Sequence, residues 1–169
     1  MSFNLADYLP YLVNRLGARL AAGFSEEVAR FGVSLPEWRV LASLWPDHAR
    51  AQIDLAALTA IDVSTLSRLL AAMERRGLVE RTRSRDDARV VTVAASTKGR
   101  EVTRSILPLA LRYEALATGG LKPAEVDRLK ALLTRVFANL PAEVSPRRAP
   151  SARAAPAAGA SASADSRGS

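Results

Sequence analysis

Between residues 64 and 75 the chain sets Ser64, Thr65, Ser67, Arg68 and Arg75 among apolar neighbours, in the segment STLSRLLAAMER. Short hydroxyls and guanidinium groups in this pattern suit hydrogen bonding to a polar surface that the backbone approaches closely. At roughly 100° per residue, Leu66, Leu69, Leu70 and Met73 fall on one side of a helix, and Ser64, Thr65, Ser67, Arg68 and Arg75 on the other. The major groove of B-DNA admits such a face: Arg bonds guanine O6 and N7 together, and Ser or Thr meets bases or phosphates. Four more guanidinium groups follow at Arg81, Arg83, Arg85 and Arg89. Taken alone, an arginine run is as readily a solvated edge as a binding surface. Directly after a polar-faced helix, it fits a projection that lies along phosphates and reaches the minor groove.

The flanking residues supply the elements that would position these groups. Asp62 stands where an N-cap belongs and Gly77 where a C-terminal stop belongs, which predicts a helix over about 63–76. Before it, Ile53, Leu55, Leu58 and Ile61 have spacings that suit a short buried helix supporting the first. After it, LVERTR and RVVTV are strand-like, and SRDDA between them supplies turn chemistry. Helix, turn, helix and hairpin in this order predict a mainly α fold, a winged helix-turn-helix with a two-stranded β-wing.

Further helices flank this unit. Ser34 and Glu37 ahead of Trp38 form a capping-box pattern. Leu5, Leu9, Leu12, Val13, Leu16 and Leu20 make one helical stripe, with Pro10 early enough to be tolerated near a first turn. Two more apolar surfaces follow, one along Leu107, Leu109, Leu111 and Leu116, the other along Val126, Leu129, Leu132, Leu133, Val136 and Leu140. Pro108 is expected to kink or interrupt its helix. Together these stripes carry more apolar side chain than one small winged unit needs to cover, so the helices either cap their own domain or intertwine with a second copy.

The chain resembles the multiple antibiotic resistance regulator (MarR) family of bacterial transcription factors. The likeness runs from LPEWRVLASL through DLAALTAIDVSTLSRLLAAMERRGLVER to Asp87-x-Arg89 and Ser96-x-x-Gly99, and with its flanking helices covers about residues 5–140. The VSTLSR segment followed by ERRGLVER is its most specific part. The chain departs from the family pattern at Ala95-Ser96-Thr97, where Leu-Thr-Pro is common, and at Lys122, where Ser or Thr commonly caps the last helix. The resemblance implies a homodimer whose terminal helices interlock, with two winged domains on a palindromic operator in double-stranded DNA. It also implies that Ser64, Thr65, Ser67 and Arg68 lie in the major groove, and that Arg89, oriented by Asp87, works at the wing tip. Family members commonly act as repressors that a small aromatic or anionic effector releases from DNA. Tyr8, Tyr11, Arg15, Trp38, Trp45 and His48 are the candidates here for stacking on or binding such a molecule.

The expected organisation is an N-terminal dimerisation helix in 1–33, the winged unit in 34–96, C-terminal dimerisation helices in 97–140 and a tail in 141–169. The tail is almost entirely Ala, Ser, Pro, Arg and Gly and is expected to be disordered. Charge agrees with a polyanion partner. Residues 64–104 hold ten Lys or Arg against five acids, whereas residues 1–63 hold five against seven. The whole chain carries +7. With no Cys and one His, the sequence excludes disulfides, thiol redox sensing and thiolate metal sites, and offers no two-His metal arrangement. It shows no Gly-rich phosphate loop, nucleophile elbow or paired-carboxylate motif, so neither an enzyme nor a cofactor is expected. A cytoplasmic regulator without a membrane segment is the resulting expectation. Its rival is a winged helix acting through nonspecific DNA binding or a protein partner, without a small-molecule effector.

Overall fold

The computed structural model describes residues 3–83 and 90–140 of the chain. The expected wing tip and the expected disordered tail lie outside the described residues. Among the described residues, after a short 3-10 turn at Leu5–Asp7, there are six α-helices, α1 Leu9–Ala29, α2 Leu35–Ser43, α3 Gln52–Thr59, α4 Val63–Arg75, α5 Thr97–Ala117 and α6 Pro123–Ala138, with strands β1 Arg50–Ala51, β2 Val79–Arg83 and β3 Val91–Ala95. The axes of α3 and α4 turn by 109°, the bend of a helix-turn-helix.

The core forms where α2, α3, α4, the sheet and the first half of α5 meet. Leu41, Leu44, Leu55, Leu66, Leu70, Met73, Val93 and Ile106 are fully buried there. On α4 the apolar side is Leu66, Leu70 and Met73, as the 3.6-residue period requires, which turns the opposite side outward. Leu69 is only partly buried against the core.

β2 and β3 pair antiparallel, with Val79 opposite Ala95 and Arg83 opposite Val91. The expected two-stranded wing is extended by a third strand, because β1 pairs with β3 through Arg50 opposite Val93 and Ala51 opposite Thr92, giving the order β1-β3-β2. A two-residue strand is too short to leave an alternating signature in sequence.

Helix α3 differs from the expected buried pattern. It buries Leu55, Ala56 and Thr59, while Ile53 and Leu58 are 63% and 58% exposed. On an eight-residue helix the latter two lie roughly 110° to either side of the buried direction, so the core reaches neither. Helix α5 runs unbroken through Pro108, although the missing N–H leaves the Arg104 carbonyl without its usual helical donor.

The start of α5 is bolted to the end of α4. Ser96 caps α5 by accepting from the Gly99 N–H at 3.0 Å, and its hydroxyl donates to the Gly77 carbonyl at 2.6 Å. A Cβ on Gly99 would lie 2.0 Å from the Leu78 carbonyl oxygen, so only glycine permits this approach. Helix α6 contrasts with these contacts: it has no buried residue, and it is tied to α5 by Lys130 donating to Glu114. Among the described residues no single helix is long and apolar enough to cross a membrane.

Candidate nucleic-acid interface

The outward side of α4 is fixed by what happens at its ends. At the N-terminus the Asp62 carboxylate accepts from the Thr65 N–H at 2.9 Å and from the Ser64 hydroxyl at 2.7 Å. The Ser64 hydroxyl, with Thr65 adding to it, pulls the Asp62 pKa down to about 2. Because Ser64 spends its hydrogen on Asp62, it faces outward with lone pairs only. It is therefore an acceptor suited to the amino groups of adenine N6 or cytosine N4. At the C-terminus Gly77 takes φ +68°, and the Leu78 N–H returns to the Met73 carbonyl at 2.9 Å, closing the helix.

Ser64, Thr65, Arg68 and Arg75 are exposed and Ser67 is half-buried. Among the described residues no carboxylate pairs with Arg68 or Arg75. Ala71 and Ala72, between the two arginines, keep the middle of this face low, so that a helix can sit close to base edges.

Two neighbouring arginines have internal partners instead. Arg76 donates through Nη1 to Glu37 Oε1 at 2.5 Å and through Nη2 to the Gly32 carbonyl. The Glu37 side chain is 7% exposed, and its other oxygen accepts from the Ser34 N–H at 2.7 Å and the Ser34 hydroxyl at 3.0 Å. One carboxylate thus joins the N-cap of α2 to the last turn of α4, which sets the angle at which α4 is presented. Sequence pattern found the Ser34 and Glu37 capping box but not its third partner, 39 residues away.

Arg81, grouped by sequence with the wing arginines, is likewise turned inward. Its Nε and Nη2 both reach Glu74 Oε2, at 2.8 and 2.6 Å, and this bond lowers the Glu74 pKa. The base of the wing is pinned to α4 by that pair. Arg83, at the end of β2, is exposed. Arg85, Asp87 and Arg89 lie outside the described residues.

The six candidate effector residues do not converge. Trp38, Trp45 and His48 line one open crevice of about 710 Å³, together with Arg39, Arg50 and Leu58. The Arg50 Nε donates to the Ser43 carbonyl at 2.8 Å, and the Arg104 guanidinium lies 5.9 Å from the centre of the Trp45 ring. Tyr8 is the N-cap of α1, Tyr11 and Arg15 lie on its first two turns, and none of the three is among the residues that line this crevice. A stripe periodicity places residues on a helix but does not say which helix another element packs against. A second groove of about 520 Å³, apolar and lined by Leu16, Leu20, Phe24, Leu129 and Leu133, contains none of the six; Arg39 borders both.

The MarR family model matches residues 33–91, which span α2, α3, α4 and the start of β3. The chain is 26% identical over 145 residues to the HTH-type transcriptional repressor IacR of Pseudomonas putida, covering 82% of this chain and 83% of that protein. It superimposes on a solved structure of a MarR family transcriptional regulator from Silicibacter pomeroyi DSS-3 with TM-score 0.70 and 30% identity, covering 83% of this chain and all of the other. BpsR of Bordetella bronchiseptica, solved to explain how 6-hydroxynicotinic acid regulates its DNA binding, is similar at TM-score 0.68 and 26% identity, over 76% of this chain and 98% of that one. The relatives are transcriptional regulators and not enzymes, and with a 30% identical regulator matched over its entire length this chain belongs to the MarR family.

Proposed function

We propose that the protein is a homodimeric repressor. Each subunit sets α4 in a major groove of a palindromic operator and its wing in the flanking minor groove. The observation that carries the reading is the division of labour among the arginines. Arg76 and Arg81 have internal carboxylate partners, whereas Arg68 and Arg75 face outward beside Ser64 and Thr65. That surface matches the hydrogen-bonding edges of bases, and sequence places Arg85, Asp87 and Arg89 on the adjoining wing.

Dimerisation rests on the terminal helices. Leu9, Leu12, Val13 and Leu16 of α1 and Leu129, Leu132, Leu133 and Val136 of α6 are each at least 40% exposed, an apolar area that a second copy would cover. For the effector, the crevice of Trp38, Arg39, Trp45, His48 and Arg50 joins aromatic faces to cationic groups, as a small aromatic anion requires. It is bordered by the C-terminal end of α3 and the turn into α4. A ligand that prefers one setting of that turn would shift the spacing of the two reading helices, in proportion to its differential affinity.

The test is a titration of the protein against its own upstream DNA and an unrelated duplex at several salt concentrations, with small aromatic acids added at the midpoint. Selective, salt-sensitive binding of two subunits, released by one acid, is the expected result. Equal binding to both duplexes would move the function to nonspecific DNA contact or a protein partner. Arg68→Ala is expected to cost about 1–3 kcal/mol of specific binding and to relax preference at one base pair of each half-site. A uniform loss across unrelated duplexes would reassign Arg68 to phosphate.

A further inference from the structure

The polar face of α4 is flanked by an aliphatic patch that the described residues leave exposed. Ile53 at the start of α3, Val63 at the first position of α4 and Val90 before β3 are 63%, 46% and 39% exposed. With Val91, Ala51 and Gln52 they line a single concavity of about 280 Å³ that, among the described residues, contains no charged side chain. By helical angle Val63 lies beside Ser67 and on the same flank as Glu74, whose carboxylate holds Arg81, so the patch occupies the wing-facing flank of the first turn of α4. Among the described residues none of its lining comes from α1, α5 or α6, so a dimer built through those helices would not cover it.

Exposed valine and isoleucine next to Ser64 and Ser67 gain nothing from water, and nothing from phosphates. In the major groove, the apolar group that a base edge presents is the C5-methyl of thymine. We infer that Val63, supported by Ile53 and Val90, forms a methyl-reading surface that selects thymine where the first turn of α4 meets each half-site. The inference rests on the reading that α4 enters the major groove and adds to it one base preference with a named contact.

The experiment starts from half-sites selected by the wild-type protein out of a random duplex library. Each thymine is then replaced in turn by uracil, which deletes the methyl and leaves every hydrogen-bonding group in place. Replacement at one thymine per half-site is expected to weaken binding about four-fold, the ~0.8 kcal/mol of one buried methyl group. In Val63→Ala or Ile53→Ala, whose parent side chains are exposed and so are not needed for folding, that penalty is expected to fall below two-fold. Selective binding with no uracil penalty at any position would overturn the inference while leaving the operator reading intact, and is what packing of the patch on deoxyribose would give. A penalty undiminished in both variants would overturn it as well. Absence of any selected sequence would remove the operator reading, and the inference with it.

Discussion

Helices α4 and α6 are both amphipathic, yet they end in opposite states. On α4, Leu66, Leu70 and Met73 are completely buried; on α6, Leu129, Leu132, Leu133 and Val136 stay 40–45% exposed and no residue is buried. The apolar spacing is equally regular in both. What differs is whether a counterface exists in the same chain: α4 has α2, α3 and the sheet, while α6 is tied to α5 through Lys130 and Glu114 and borders an open groove with α1. A helix of this length owes its stability mainly to the surface that buries its apolar side. The winged unit is therefore complete within one subunit, whereas in the proposed dimer the distance between two reading helices would be left to the association of two copies. Under the proposed function, such a division would let a ligand alter operator fit without unfolding either winged unit.

The largest expected effect comes from breaking the incomplete half. Leu132→Asp with Val136→Asp places two charges on the open side of α6, where neither native side chain is buried within one chain. Sedimentation is expected to show monomers. Operator affinity should fall about 10²–10⁴-fold, the loss of linked binding at two half-sites. The thermal midpoint of the winged unit should change little at the same time. Dimers of unchanged affinity would remove α6 from the interface.

A smaller effect is expected from the adjacent pair Arg75 and Arg76, which tests the complete half. Arg76→Ala strips the buried Glu37 carboxylate of its guanidinium while leaving the two Ser34 hydrogen bonds in place. Loss of a charged hydrogen bond of this kind costs about 2 kcal/mol of stability. Arg75→Ala should leave stability within about 0.5 kcal/mol and weaken DNA binding. Denaturant midpoints and operator titrations of the two variants check this; equal stability losses would mean that the Glu37 bridge does not hold α4.

Local signals carried much of this architecture. Asp62 and Gly77 bound α4 because caps are short-range chemistry, and the hairpin and the Ser34 capping box were legible for the same reason. Features that depend on which surfaces meet were not. Ile53 and Leu58 read as core positions until the orientation of α3 was known, and Arg81 is separated from Arg83 as a structural group only by its approach to Glu74. Arg75 and Arg76 differ by 100° around the helix, enough to send one outward and the other to Glu37, and sequence gives the angle but not the partner. The effector candidates failed to converge on the same account: Tyr8, Tyr11 and Arg15 lie on the side of α1 away from its Leu9, Leu12, Val13 and Leu16 stripe, and none of them borders the crevice of Trp38, Trp45 and His48.

The smallest effect concerns the cap at the first turn of α4. Asp62 holds Ser64 and the Thr65 N–H, and its folded pKa of about 2 lies below the ordinary 3.8. A depressed carboxylate pKa adds stability that is fully present above the unfolded value and disappears as pH falls from 3.8 through about 2. Asp62→Ala is expected to lower the thermal midpoint by a few degrees at neutral pH, as loss of an N-cap does. Asp62→Asn retains an acceptor for the Thr65 N–H without the charge, so its deficit against wild type should narrow as the solution is taken from pH 5 to pH 2.5. Ser64, whose hydroxyl shares Oδ1 with the Thr65 N–H, loses that acceptor and is freed to donate only in Asp62→Ala. The base preference opposite Ser64 should then spread from amino-bearing bases to guanine and thymine, which offer acceptors. A deficit constant across that pH range, with a preference unaltered in Asp62→Ala, would show that Ser64 is oriented by something other than Asp62.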